Sequence, residues 1–160
     1  DNDERAIFFC RGVAETVKKL GWAPDIVHCH GWMTAFMPLY LKSIYNDDPH
    51  FTSAKTMFSV YGSGYKGSLS KKILSKLSFD GIATDDLVLE NSPNSDNVNM
   101  LGVQFADVIG IGDQAIKADL LSYIENCGKP ILGYQEEESL VDAHQDFYDK
   151  VLTEDGVFAD

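Results

Sequence analysis

The sequence predicts an α/β fold, a Rossmann-like parallel sheet flanked by helices, and three observations carry that prediction. Helix-like and strand-like segments alternate along the chain, the strand-like ones are short apolar runs, and a glycine follows several of them. Alternation of this kind argues for a parallel sheet with helices on both faces. One hundred and sixty residues suit a single domain with a sizeable core, assigned to residues 1–152, with an acidic tail at 153–160.

The first element is a helix over Asp1 to Leu20. Asp3 and Glu4 favour its start and Lys18 and Lys19 its end, Gly21 stops it, and Ile7, Phe8, Val13, Val17 and Leu20 recur at helical spacing as its apolar side. Asp25 to His30 is a buried strand. Pro24 bars a preceding helix from continuing, Ile26 and Val27 are strand formers, and Gly31 allows a sharp turn. With a side-chain period of two, His28 and His30 share a face, His30 at the carboxyl end, where ligands bind in open α/β sheets. The pair reads equally as two hydrogen-bonded core imidazoles. A metal pair is not expected, because Cys10, Cys127, His50 and His144 are scattered without zinc-like spacing.

Trp32 to Tyr45 follows as an apolar helix with Pro38 in its first turns, and Lys55 to Tyr61 as a second strand. Gly62-Ser63-Gly64-Tyr65-Lys66-Gly67 then has the form G-x-G-x-x-G ahead of a helix at Ser68 to Leu77. The acidic residue of a dinucleotide unit, roughly 20 positions along a parallel strand, is missing, so a flexible loop competes with a nicotinamide or flavin site. Asp85 and Asp86 mark a helix start, and Asn91 to Asn99 reads as loop. A helix ends at Phe105, a third strand runs from Asp107 to Ile111, and Gly112 and Asp113 open a helix reaching Asn126. Pro130 to Tyr134 is the fourth strand and Ser139 to Leu152 the closing helix, with Glu136, Glu137 and Glu138 at its amino end as capping and solubility groups.

Composition bounds the function. Thirteen basic against 25 acidic residues give a formal charge of −12, which argues against a nucleic-acid or anionic-membrane surface. No stretch approaches the ~20 apolar residues of a membrane span. Three cysteines without framework spacing suit reduced thiols in the cytoplasm. The chain opens on Asp1 rather than Met, so it is expected to be a piece of a longer product.

Asp1-Asn2-Asp3-Glu4-Arg5, Trp22-x-Pro24-Asp25-Ile26-Val27-His28-Cys29-His30-Gly31-Trp32-Met33-Thr34-Ala35 and Pro38-Leu39-Tyr40-Leu41 resemble the amino-terminal domain of glycogen and starch synthases. In that family the strand and turn read D-V-V-H-A-H-D-W-H-x-x-L, followed by P-x-Y-L. Lys55 to Val60, Tyr65-Lys66-Gly67 and Phe105-Ala106-Asp107-Val108-Ile109 extend the resemblance to about residue 120. It implies the first lobe of the two-lobed GT-B glycosyltransferase architecture and the transfer of glucose from ADP-glucose to an α-1,4-glucan acceptor, with no further cofactor and no metal.

By position in the family, Asp1, Asn2 and His30 would lie on the cleft side and Tyr65 on a loop at its rim, binding sugar hydroxyls. Trp32 reads as core packing under the turn rather than sugar stacking. Four positions depart from the pattern: Gly31 and Met33 stand where the family has the Asp and His of D-W-H, and Tyr61 and Gly62 where it has the His and Asn of H-N-L-A-Y. These changes remove the family's polar groups, among them two His and an Asn, that could hydrogen-bond a sugar or orient it. A non-catalytic relative that binds glucan or a protein partner is therefore the competing expectation, with a dinucleotide module behind it. The 160 residues alone are expected to transfer no glucose.

Overall fold

A computed structural model describes residues 1–153. In chain order the elements are α1 (Asn2–Leu20), β1 (Ile26–His30), a 3-10 turn (Trp32–Thr34), α2 (Phe36–Ser43), β2 (Lys55–Val60), α3 (Ile73–Phe79), α4 (Ser95–Phe105), β3 (Val108–Ile111), α5 (Ala118–Glu125), β4 (Ile131–Leu132) and α6 (Leu140–Thr153). The four strands form one parallel sheet in the order β1-β2-β3-β4, so the α/β expectation holds. Of the acidic tail assigned to 153–160, Thr153 closes α6 and the remainder lies outside the described residues.

Register divides the sheet into two chemically different faces. Cys29 pairs with Phe58 and Phe58 with Ile109, and all three are buried in the main core with α2, α4 and the small-residue face of α1. The alternate positions, His28 opposite Met57, Met57 opposite Val108, and His30 opposite Ser59, face the other way, toward α6. There Met57 and Val108 form a small second core with Phe147 and Val151 of α6. Two close approaches need glycine for lack of room. A Cβ on Gly102 would stand 2.5 Å from the Phe58 ring, and one on Gly110 would stand 2.5 Å from Ser59 Oγ.

Several boundaries differ from the sequence reading, each for a local reason. The apolar helix expected over Trp32 to Tyr45 is split at Ala35, because Pro38 has no N–H to give the Thr34 carbonyl. The helix expected at Ser68 starts instead at Ile73, since Leu69 N–H is committed to the Pro93 carbonyl, 2.9 Å away. Asp85 and Asp86 start no helix. Gln104 pins that segment, accepting from Val88 N–H and donating to the Asp86 carbonyl.

The Asn-rich run read as loop is half helix. Asn94 accepts from the Asp96 and Asn97 amides while Asn97 accepts from Asn94 N–H, a capping box that opens α4. Asp113 takes the Ala115 and Gly62 amides and holds its own loop in a turn, which delays α5 to Ala118. The fourth strand shrinks to two residues.

The largest correction concerns α1. Its buried stripe is Asp3, Ala6, Cys10 and Ala14, not the large apolar residues, and Phe8 is 80% exposed and Leu20 72%. Small side chains let α1 approach the 3-10 turn and α2 closely, whereas Phe8, Phe9 and Val13 face outward along two open apolar grooves of about 630 and 600 Å³. Asp3 is buried but not bare: Lys76 of α3 donates to it at 2.5 Å and to Glu4 at 2.8 Å, tying the helices together.

Candidate functional site: a neutral cleft at the carboxyl ends of the strands

Where β1, β2 and β3 end, their alternate side chains emerge beneath α6 and leave a cleft of about 350 Å³. β1 supplies His28 and His30, β2 supplies Ser59 and, one residue past its end, Tyr61. Helix α6 supplies His144, Gln145 and Tyr148 from the opposite side. The strand positions follow from the two-residue period; the helical ones follow from the four-residue step between 144 and 148.

His28 is the half-buried centre of the arrangement. Its Nδ1 lies 2.5 Å from the Tyr148 hydroxyl and its Nε2 2.7 Å from Ser59 Oγ, so both ring nitrogens are engaged. Burial, then the neighbouring imidazoles of His30 and His144, push its pKa down to about 3, and the ring is neutral at physiological pH. One nitrogen therefore donates and the other accepts. The His30 ring lies against it at 3.8 Å, tilted by 30°, is exposed, and meets the Tyr61 hydroxyl at 3.0 Å through Nδ1. Partial burial and then His144 lower the His30 pKa as well. Burial raises Tyr148, and burial followed by Asp113 raises Tyr61, so both phenols keep their protons.

Among the described residues no Asp, Glu, Lys or Arg lines the cleft. Among the described residues no group of three or more His, Cys, Asp or Glu is arranged to hold a metal ion, and no helix is long and apolar enough to cross a membrane. What the cleft offers is imidazole, phenol, amide and hydroxyl groups, which exchange hydrogen bonds with a neutral polyol and give nothing to clamp a diphosphate.

The residues singled out by sequence divide between this cleft and elsewhere. His30 and Tyr61 line it. Asp1 caps α1 and pairs with Arg5 at 3.2 Å, and Asn2 opens the helix; neither lines the cleft. Tyr65 turns away from it, its hydroxyl donating to the Pro93 carbonyl at 2.7 Å and its ring edge-on to Trp32 at 4.6 Å. Trp32 thus packs against the core under the turn.

Gly31 makes the turn itself, at φ 72°, and donates its N–H to the Ser59 carbonyl. Met33 lies in the apolar groove beside Phe8, Phe9 and Val17, away from the cleft. Gly62 donates its N–H to the Asp113 carboxylate, and a Cβ there would meet the Ala115 carbonyl oxygen at 1.9 Å. The glycines of the G-x-G-x-x-G string thus have separate local reasons: Gly62 packs against the Ala115 loop with a carboxylate already on its amide, a Cβ on Gly64 would stand 2.4 Å from Ser95 of α4, and Gly67 takes a positive φ of 86°. Sequence reasoning passed over Ser59, His144, Gln145 and Tyr148; the one available signal was the His-x-x-x-Tyr step that puts 144 and 148 on one helical face.

Comparison with known proteins identifies the family and the fold. The glycogen synthase of Chlorobium luteolum is 37% identical over 130 residues, 79% of this chain and 26% of that protein. The Chlorobium phaeovibrioides enzyme is 40% identical over 108 residues (66% and 21%) and the Thermotoga maritima enzyme 39% over 111 (68% and 22%). The chain thus spans about a fifth to a quarter of the length of these relatives. Among solved structures, the catalytic domain of starch synthase IV from Arabidopsis thaliana, bound to ADP and acarbose, superposes with a TM-score of 0.65 at 22% identity. The match covers 85% of this chain and 30% of that one, and it bears on the fold. Residues 1–129 match the family described as the starch synthase catalytic domain, and the chain belongs to that family.

Proposed function

We propose that this chain is a glucan-recognising lobe of glycogen/starch synthase type, holding glucosyl units of an α-1,4-glucan in the cleft at the ends of β1 to β3. The observation that carries the reading is the cleft's chemistry: histidine, tyrosine, glutamine and serine groups beside a few apolar side chains, with no charged side chain among the described residues that line it. Neutral donors and acceptors suit sugar hydroxyls, and His30, exposed and held by Tyr61, is placed to meet one. Family membership supports ADP-glucose as the donor of the whole enzyme, with its diphosphate held by groups outside this lobe. The 160 residues alone then bind glucan without transferring glucose. Three free cysteines suit the reducing cytoplasm, where such a polymer is stored.

A second reading, a lobe that binds glucan in a protein with no transferase activity, is favoured by Gly31 and Met33, which replace polar family positions with groups that cannot hydrogen-bond a sugar through a side chain. Electrophoresis in native gels cast with glycogen tests the shared claim. The chain is expected to be retarded relative to a non-binding standard; unchanged migration would count against both readings. Glucose incorporation from ADP-glucose into glycogen is expected to be absent, and detectable incorporation would overturn the proposed inactivity of the lobe alone.

A further inference from the structure

Helix α6 lies beyond the family-matched residues 1–129, yet it forms the outer wall of the cleft. It carries two adjacent stripes. Phe147 and Val151, one turn apart, seat it on Met57 and Val108 of the sheet. His144 and Tyr148, also one turn apart, lean over the strand ends. Packing alone would require only the first stripe. The second brings an imidazole and a phenol against two strand imidazoles, an arrangement that costs free energy unless the polar atoms find partners.

Those partners leave a specific remainder. The Tyr148 hydroxyl meets His28 Nδ1 at 2.5 Å, and the tilted His30 ring lies 3.8 Å from His28, so Tyr148 acts on His30 through one intermediate ring. His144 Nδ1 lies 2.8 Å from the Leu140 carbonyl, which can only accept, so Nδ1 carries a proton and in the neutral ring Nε2 is an acceptor. The His144 ring lies 5.7 Å from His28 and 23° from parallel to it. His30 is bonded through Nδ1 as well. Among the described residues neither Nε2 has a hydrogen-bond partner, and both rings border the same cleft.

We propose that α6 is part of the ligand site: His144 presents Nε2 as an acceptor to a hydroxyl of a bound glucosyl unit, across the cleft from His30, and Tyr148 is a positioning residue that fixes His28 and with it the adjacent His30 ring. The inference rests on the glucan reading and extends it to a helix outside the family match. It also specifies the ligand's chemistry. A neutral polyol donates to a lone pair at Nε2, whereas phosphate brings a net negative charge that meets no cation among the described residues of the cleft.

The test is histidine side-chain NMR on the full 160-residue chain, titrated with maltotriose and separately with inorganic phosphate. The His30 and His144 ring resonances are expected to move together along one maltotriose isotherm, and phosphate to move neither. Tyr148→Phe keeps the ring and its packing; it is expected to shift the His28 Nδ1 resonance and weaken maltotriose binding about tenfold, the value of roughly one hydrogen bond. His144→Ala should weaken binding similarly with the His28 resonances retained. Movement of His30 without His144 would overturn the role of α6 and leave the glucan reading standing. Movement of neither would overturn the glucan reading, and this inference with it. A Tyr148→Phe chain with unchanged affinity and an unchanged His30 resonance would overturn the positioning role.

Discussion

His28→Gln should remove a defined share of the protein's acid sensitivity. In the folded chain His28 is neutral, with its pKa pushed down to about 3 by burial and by the imidazoles of His30 and His144; unfolded, it returns to the ordinary value of 6.5. Between those two values the unfolded state binds more protons than the folded one, so stability rises with pH. The loss therefore begins as pH falls through about 6.5 and levels off near 3. Between pH 7 and pH 4.5 one such group contributes about 2.5 kcal/mol, from 1.36 kcal/mol for each pH unit below the unfolded pKa.

Carboxylates titrate over part of this range too, Asp107 among them, held below its usual value against the cost of burial by Lys42 and Thr56. They are common to wild type and variant and largely cancel in the difference. Urea unfolding followed by circular dichroism at pH 7 and pH 4.5 gives the comparison directly. At a slope of about 2 kcal/mol per M, the wild-type midpoint should fall by roughly 1 M more than that of His28→Gln. Equal falls in the two proteins would refute the assignment of a neutral, doubly bonded His28 at the base of the cleft.

Three further outcomes follow from geometry elsewhere. Lys129 Nζ donates to the Val103, Gln104 and Ala106 carbonyls at 2.6, 2.7 and 2.6 Å, closing the carboxyl end of α4. Lys129→Met should cost about 2–4 kcal/mol and lower Tm by several degrees in a thermal melt; an unchanged Tm would contradict that role. Gly62→Ala forces a Cβ against the Ala115 carbonyl and should cost about 1–3 kcal/mol in urea unfolding, while millimolar NAD or FAD leaves the wild-type Tm unmoved. Thermal stabilisation by either nucleotide would restore the dinucleotide reading of that loop. Met33→His places an imidazole in the α1 groove rather than the cleft, so maltotriose affinity should stay within about twofold of wild type; a gain of tenfold would mean that position 33 reaches the sugar.

The strands were legible because their signals are local. Pro24 and Gly31 bracket Ile26 to His30, and the period of two placed both imidazoles on one face before any tertiary contact was considered. Helix α1 shows the opposite case. Of the large apolar residues that dominate its periodicity, Ile7 and Val17 pack partly against the core, but the fully buried face is Ala6, Cys10 and Ala14 with Asp3, because close helix approach rewards small side chains. The Asn-rich run before α4 was read by composition, whereas the Asn94–Asn97 reciprocal cap depends on spacing.

Half of the cleft was out of reach for a related reason. His30 stands inside a recognisable strand-and-turn motif, but Tyr148 comes within reach of His28 only through a contact across 120 positions. Met33 illustrates the limit of motif matching: its place in the string aligns with a sugar-binding position, and its side chain lies in an apolar groove. Asp1, Asn2 and Tyr65 likewise carry family positions without bordering the cleft.

The most direct test of a neutral, sugar-binding cleft is calorimetric titration of maltotriose into the wild-type chain and into His30→Ala at matched fold content. Saturable binding to the wild type, weakened about tenfold or more in His30→Ala, is the predicted result. Equal affinity in the two proteins would place the glucan away from β1, and no heat with either would contradict the assignment.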